Sequence, residues 1–291
     1  MGGLARRATL IQAARTEHPN LLVLDAGNTF WGESGLAVPS QGKVMVEAMN
    51  LMHYSAMALG ETDLQLGEDV LRERIADAQF PVISANVVVL STGKLLSKPY
   101  VVLDVGGRKV GLIGLTGSGS VAATSEGPQT SGGTQPAPAP SPASGPAAGT
   151  PTPAPGMHVI GSLAVADANS ALQTYLKELQ AQASIVIVLS NLGWEANLHL
   201  ADTLPGVDLI VSAGPGQVVT EPWRSANTGT LVVQDGVYPQ AHPGQTVANV
   251  KMHLDGAGVV TSSSGTQTAL GPEYDDDEQV RKLLNDYQLK Q

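Results

Sequence analysis

The side chains of this sequence whose types and spacing could do chemistry lie in four short loops. These are LDAGNTF at 24–30, LGETDLQLG at 59–67, LSNLGWE at 189–195 and VSAGPGQ at 211–217. Each follows an apolar run, and in open α/β sheets ligands sit beyond the carboxyl ends of the strands. The loops offer the carboxylates Asp63, Glu61 and Glu195, the amides Asn28 and Asn191, and the Thr62 hydroxyl, with Glu33 just beyond the first loop. Oxygen donors of this kind suit a hard cation. The loops hold no Lys or Arg, so they repel a phosphate. Asn28 stands out: a loop built to deliver a carboxylate presents an amide, which neither neutralises a cation nor takes a proton.

The elements that position these loops are readable from periodicity. Residues 4–17 place Leu4, Ala8, Ile11 and Ala14 at helical spacing, and a strand is predicted at 21–25. Helices at 43–53 and 68–78 lead into strands at 56–59 and 81–87. Two apolar runs across 100–115 meet at Gly106-Gly107, a hairpin signal. Helix 168–182, strand 184–190, a short helix near 195–203 and strand 207–212 resume the alternation. A strand at 230–235, a hairpin across 255–258 and a polar helix from about 275 complete the chain. Alternating strands and helices of this length specify a mixed α/β architecture with enough strands for two sheets.

Residues 117–156 interrupt the pattern with a Pro/Ala/Ser/Thr/Gly-rich tract that has no periodic apolar face, and they are expected to form a flexible surface insert. GSGS at 117–120 lacks the lysine and following helix of a phosphate-binding loop and reads as the start of this insert.

Composition sets the remaining bounds. The chain has 291 residues, of which 42% are hydrophobic and 14% charged, with a net charge of −10. That is material for one α/β domain spanning 1–291, and the scattered Lys and Arg argue against nucleic acid. The absence of cysteine excludes disulfides and Cys-ligated zinc. No apolar run reaches the roughly 20 residues of a membrane span, and GGLARRATL after Met1 lacks the apolar core of a signal peptide.

The order of segments LLVLDAGNTFWG, VMVEAMNLMHYSAMALGETDLQLGEDVL, FPVISANV, PYVVLDVGGRKVGLIGLT, SIVIVLSNLG, LPGVDLIVSAG and TLVVQDGVY resembles the metallophosphoesterase domain of the 5′-nucleotidase family, within the calcineurin-like superfamily. The resemblance covers nearly the whole chain outside the insert. It implies a four-layer α/β/β/α sandwich of two mixed sheets, export to the periplasm or cell surface, and hydrolysis of phosphoesters at two divalent metals. Such a centre needs hard oxygens, imidazoles and a bridging carboxylate.

Carried over motif by motif, the resemblance places an amide, Asn28, at the bridging carboxylate of G-D. It places Glu61 at the metal-binding Asn of G-N-H-E, Thr62 at the catalytic His and Asp63 at the Glu. Asn191 stands at the His of S-H-L-G, and Gly214 and Gly216 stand at the two histidines of G-H-x-H. Threonine cannot supply a proton to a leaving group as histidine does. A first strand with D-x-H is expected upstream of GGLAR, and the family's C-terminal substrate domain is expected to be absent from this chain.

These substitutions predict a non-catalytic, pseudo-phosphoesterase domain with no cofactor and vestigial site positions at Asn28, Glu61, Thr62, Asp63, Asn191, Gly214 and Gly216. Its role would be to bind another protein or to serve as a structural subunit of an exported or surface assembly. Two alternatives stay open. One is a divergent phosphoester hydrolase using a single, weakly held divalent cation on Asn28, Glu61, Asp63 and Asn191. The other is a non-hydrolysing nucleotide binder. His18, His53, His158, His199, His242 and His253 match no ligand position, and His199 alone stands beside a site loop. The acidic run 273–279 reads as a helix N-terminus. Trp31, Trp194 and Trp223 are either packing or an apolar contact surface.

Overall fold

A computed structural model describes residues 3–31, 35–118, 157–214, 221–234, 246–256 and 260–289. Nearly all of the insert, together with Gly216, Glu33 and His242, lies outside them. In chain order the elements begin with α1 (Leu4–Glu17), β1 (Leu24–Asp25), α2 (Lys43–Leu51), β2 (Ala56–Ala58), α3 (Glu68–Asp77), β3 (Val82–Ile83), β4 (Val87–Val89) and β5 (Lys94–Leu95). There follow β6 (Tyr100–Val105), β7 (Arg108–Leu115), β8 (His158–Ile160), β9 (Leu163–Val165), α4 (Ala168–Gln180), β10 (Ile185–Ser190) and α5 (Trp194–Thr203). The chain continues with β11 (Leu209–Ser212), β12 (Trp223–Arg224), β13 (Leu231–Gln234), β14 (Thr246–Leu254), β15 (Val260–Ala269) and α6 (Glu278–Gln288). A 3₁₀ turn at Thr62–Leu66 joins β2 to α3.

Two sheets carry the site. The first is parallel, in the order β1-β2-β3; the second runs β12-β13-β11-β10-β7-β6. In the second sheet β13, β11, β10 and β7 are parallel, and β12 and β6 are antiparallel at its edges. Alternation along the strands assigns the faces. Ala56 and Ala58 of β2 meet Ile185, Ile187 and Leu189 of β10 in a core between the sheets. Met57 faces the other way, into a core with Ile11 of α1, Met49 of α2, Leu71 of α3 and Val280 of α6. Val186 and Val188 of β10 pack with Leu172 and Leu176 of α4 and Leu200 of α5. Helices, sheet, sheet and helices therefore stack as the expected four-layer sandwich. A fully buried side chain in these cores, such as Leu112, contributes about 2 kcal/mol.

The chemistry of the helix ends follows the sequence. Asp167 accepts from the Ser170 N–H at 2.8 Å to cap α4. Asp277 accepts from the Val280 N–H at 2.9 Å to cap α6, which accounts for part of the acidic run. Arg6 reaches Asp276 at 3.6 Å, tying α1 to the segment before α6.

Several elements differ from expectation. The predicted strand 21–25 is paired as strand only over Leu24–Asp25. The run 81–87 splits between β3 and β4, which belong to different sheets. The cause is Asn86: its Nδ2 donates to the Thr116 carbonyl at 2.8 Å and to the Ala166 carbonyl at 3.0 Å, and its Oδ1 accepts from the Thr116 N–H at 2.9 Å. Those bonds take the backbone out of the first sheet. Beyond the two sheets of the expectation there is an antiparallel sheet, β5-β4-β9-β8, whereas the hairpin β14-β15 flanks 255–258 as expected.

Candidate functional site

The parallel strands β1, β2, β7, β10 and β11 deliver the site loops to one edge of the sandwich. The Thr116 hydroxyl after β7 donates to the Leu59 carbonyl after β2 at 2.7 Å. The Glu61 N–H donates to Asn191 Oδ1, across from β10, at 3.2 Å. Gly214 lies against the same turn: a Cβ placed on it would sit 3.1 Å from the Gly193 nitrogen and 3.3 Å from the Asn191 carbonyl oxygen. The structure thus brings together Asn28, Glu61, Thr62, Asp63, Asn191 and Gly214.

Their geometry is that of a clamp. Asp63 is fully buried, and its carboxylate accepts from the backbone N–H of Asn28 (2.9 Å), Phe30 (2.8 Å), Trp31 (3.3 Å) and Gly60 (2.9 Å). Asn28 Oδ1 accepts in turn from the Thr62 N–H at 2.9 Å. Asn28 has φ 67°, a left-handed conformation that Asn tolerates better than most residues. The approach of the two loops requires glycine. A Cβ on Gly27, at φ 104°, would lie 2.5 Å from the Gly60 nitrogen, and a Cβ on Gly60 would lie 2.2 Å from Asn28 Oδ1. Upstream, Asp25 Oδ1 accepts from the Gly27 N–H at 2.9 Å, and the Thr29 hydroxyl lies 2.9 Å from both Asp25 oxygens.

Burial pushes the Asp63 carboxyl up to about 6, with the nearby Asp25 charge adding to the rise and the donors from Gly60, Asn28 and Trp31 opposing it. Two polar atoms at the site stay unmatched: the Thr62 hydroxyl and Asn191 Nδ2 are both buried with no hydrogen-bond partner.

The side chains present do not fit a two-metal centre. Both Asp63 oxygens face amide N–H groups, the Asn28 and Asn191 oxygens each accept a backbone N–H, and Gly214 supplies no donor atom. Among the described residues no three His, Cys, Asp or Glu side chains gather as a metal site. Of the oxygen-only set Asn28, Glu61, Asp63 and Asn191, three members have side-chain oxygens that accept backbone N–H groups. His199 is exposed on α5, and its carbonyl accepts from the Thr203 hydroxyl at 2.7 Å. Trp194 is buried among the α4 and α5 contacts and Trp223 packs against the same core, so both are packing residues. Sequence reasoning missed Thr116 and Asn86 as the residues joining the site edge of the two sheets. Asn86 interrupts the apolar run 81–90, and Thr116 ends the run before GSGS, so neither position announces a contact with a distant loop.

The chain is 27% identical to human 5′-nucleotidase over 313 aligned positions, which span all of this chain and 48% of the relative. A snake venom 5′-nucleotidase from Crotalus adamanteus is also 27% identical, over 99% of this chain and 46% of its own length. The crystal structure of a 5′-nucleotidase precursor from Thermus thermophilus superposes with a TM-score of 0.76 at 27% identity, covering 99% of this chain and 53% of the other. The relationship is to the N-terminal domain of the 5′-nucleotidase family. No family model matches the sequence. The chain spans about half the length of the curated relatives it matches.

Proposed function

We propose that this 5′-nucleotidase-like domain is a pseudo-phosphoesterase, kept as a protein-binding or structural module of an exported or surface assembly. The observation that carries the reading lies at the ligand positions of the resemblance: Asn28 and Asn191 present neutral amide oxygens that already accept the Thr62 and Glu61 N–H, and Gly214 presents no donor atom. Neutral amide oxygens do not offset the charge of two divalent ions as a bridging carboxylate does. Thr62 offers no group that titrates near neutral pH, so the leaving oxygen would depart without a proton donor there. The loops carry Glu61 and Glu195 and no Lys or Arg, which disfavours a phosphate or nucleotide as a retained ligand.

Export is proposed by analogy with relatives such as the venom protein. No helix among the described residues is long and apolar enough to cross a membrane.

Turnover separates this reading from a divergent hydrolase. The purified chain is assayed against p-nitrophenyl phosphate and nucleoside monophosphates with manganese, zinc or magnesium. The proposal expects the rate of buffer alone. Metal-dependent turnover that disappears in Glu61→Ala would establish the hydrolase instead.

A further inference from the structure

We propose that two copies of this chain associate through the outer edge of β15, which pairs antiparallel with the same strand of the partner subunit about Gly265. The surface lies on the side of the sandwich made by β12 and the β14-β15 hairpin, and the inference is independent of what the site loops do. Among the described residues β15 is the longest strand, Val260–Ala269, and it pairs with β14 alone. Its other edge therefore presents a row of backbone N–H and C=O groups to which no described strand bonds. Proteins blunt such edges with lysine, proline, bulges or short strands. β15 has ten residues, with no charged side chain and no proline. The one irregularity of the hairpin falls near its tip, between His253 and Leu254.

The occupant follows from the charges on either side of Gly265. Pro222 packs so closely there that a Cβ on Gly265 would lie 2.7 Å from Pro222 Cγ. On one side Arg224 donates to the Ser263 hydroxyl at 3.1 Å, and on the other Glu221 lines a cleft with Thr266 and Gln267. Both charged side chains are exposed, and among the described residues neither has an ion pair. The other bond of Arg224 goes to a neutral group, the Gly229 carbonyl, at 2.7 Å. A two-fold axis through Gly265 sets Ser263 opposite Gln267 of the partner subunit. It thereby brings Arg224 of each copy to Glu221 of the partner subunit, twice per dimer. On the solvent face the same axis sets Ser264 opposite Thr266 of the partner subunit, a favourable pairing of hydroxyl side chains. A chain of net charge −10 repels its own copies, and this edge lets two of them meet with no like charges on the paired strands. A second copy carries the complementary order of charges by symmetry.

The test is sedimentation equilibrium of the whole chain from low to high micromolar concentration, where the proposal expects a reversible dimer. Glu221→Arg sets two cations face to face and is expected to weaken the dimer about tenfold, since two exposed pairs turn from attraction to repulsion. Arg224→Glu is expected to do the same. The double reversal, Glu221→Arg with Arg224→Glu, is expected to recover most of the loss, which a merely structural role for either residue would not produce. Ser264→Glu with Thr266→Glu faces Lys251 and Asn249 within the chain and sets like charges opposite one another only in the dimer, so it is expected to leave a monomer. A monomer of the unaltered chain at every concentration overturns the proposal. So does a dimer indifferent to both Glu221→Arg and the Ser264→Glu, Thr266→Glu variant. A loss in Glu221→Arg that the double reversal fails to recover also overturns it, because the copies would then meet elsewhere.

Discussion

The Phe30 backbone N–H donates to Asp63 Oδ1 at 2.8 Å, joining two site loops that stand 33 residues apart in sequence. The ring of Phe30 is fully buried in the helix-side core, so this one residue ties the loop both by its backbone and by its side chain. Asp63 is therefore a fastening point of the fold. Asp63→Ala leaves buried N–H donors at Asn28, Phe30 and Gly60 without an acceptor and is expected to lower stability by about 3 kcal/mol. Urea unfolding at pH 5 checks this, and a loss below about 0.5 kcal/mol would remove Asp63 from that role.

The same residue sets a pH dependence. Its folded pKa, about 6, lies above the ordinary 3.8. The folded state therefore holds this proton more tightly than the unfolded state does. The stabilisation is fully present below about pH 4 and is lost as the pH rises through about 6, a change of about 3 kcal/mol for this group. Asp208, also raised by burial, acts in the same direction, so the informative quantity is a difference between proteins. Relative to Asp63→Asn, the wild-type chain should lose stability between pH 4 and 6 in parallel urea titrations. Parallel curves across that range would contradict the assignment.

Glycine substitutions separate strain from contact. Gly27 combines φ 104° with a Cβ position 2.5 Å from the Gly60 nitrogen, whereas Gly93 has φ 66° and open space around it. Gly27→Ala should cost about 3 kcal/mol or more, and Gly93→Ala about 1 kcal/mol. Thermal and urea unfolding of the two variants measures the contrast. Equal losses would mean that the loops do not meet as closely as described.

Much of this fold was legible because its longer elements obey one period each. Helix α1 coincides with the predicted 4–17, since Ala8 and Ile11 recur on the buried face. The β6-β7 hairpin turns at Gly106 and Gly107, both at positive φ, as the dipeptide suggested. The sheet β5-β4-β9-β8 was not legible, because strands of two or three residues are too short to display alternation. At the site, the residue types could be read directly. That Asp63 turns inward could not, because its direction depends on the Gly27–Gly60 approach, a contact between segments far apart in the chain.

The central claim, that this site has exchanged metal ligation for an internal hydrogen-bonded clamp, is tested most directly by metal content. The purified chain is incubated with excess manganese or zinc, desalted and measured by elemental analysis, with an active two-metal phosphoesterase treated alongside. The account predicts well under one ion per chain for this protein, together with an unfolding temperature that neither metal nor chelator shifts. Two tightly retained ions per chain, with thermal stabilisation that a chelator reverses, would contradict it.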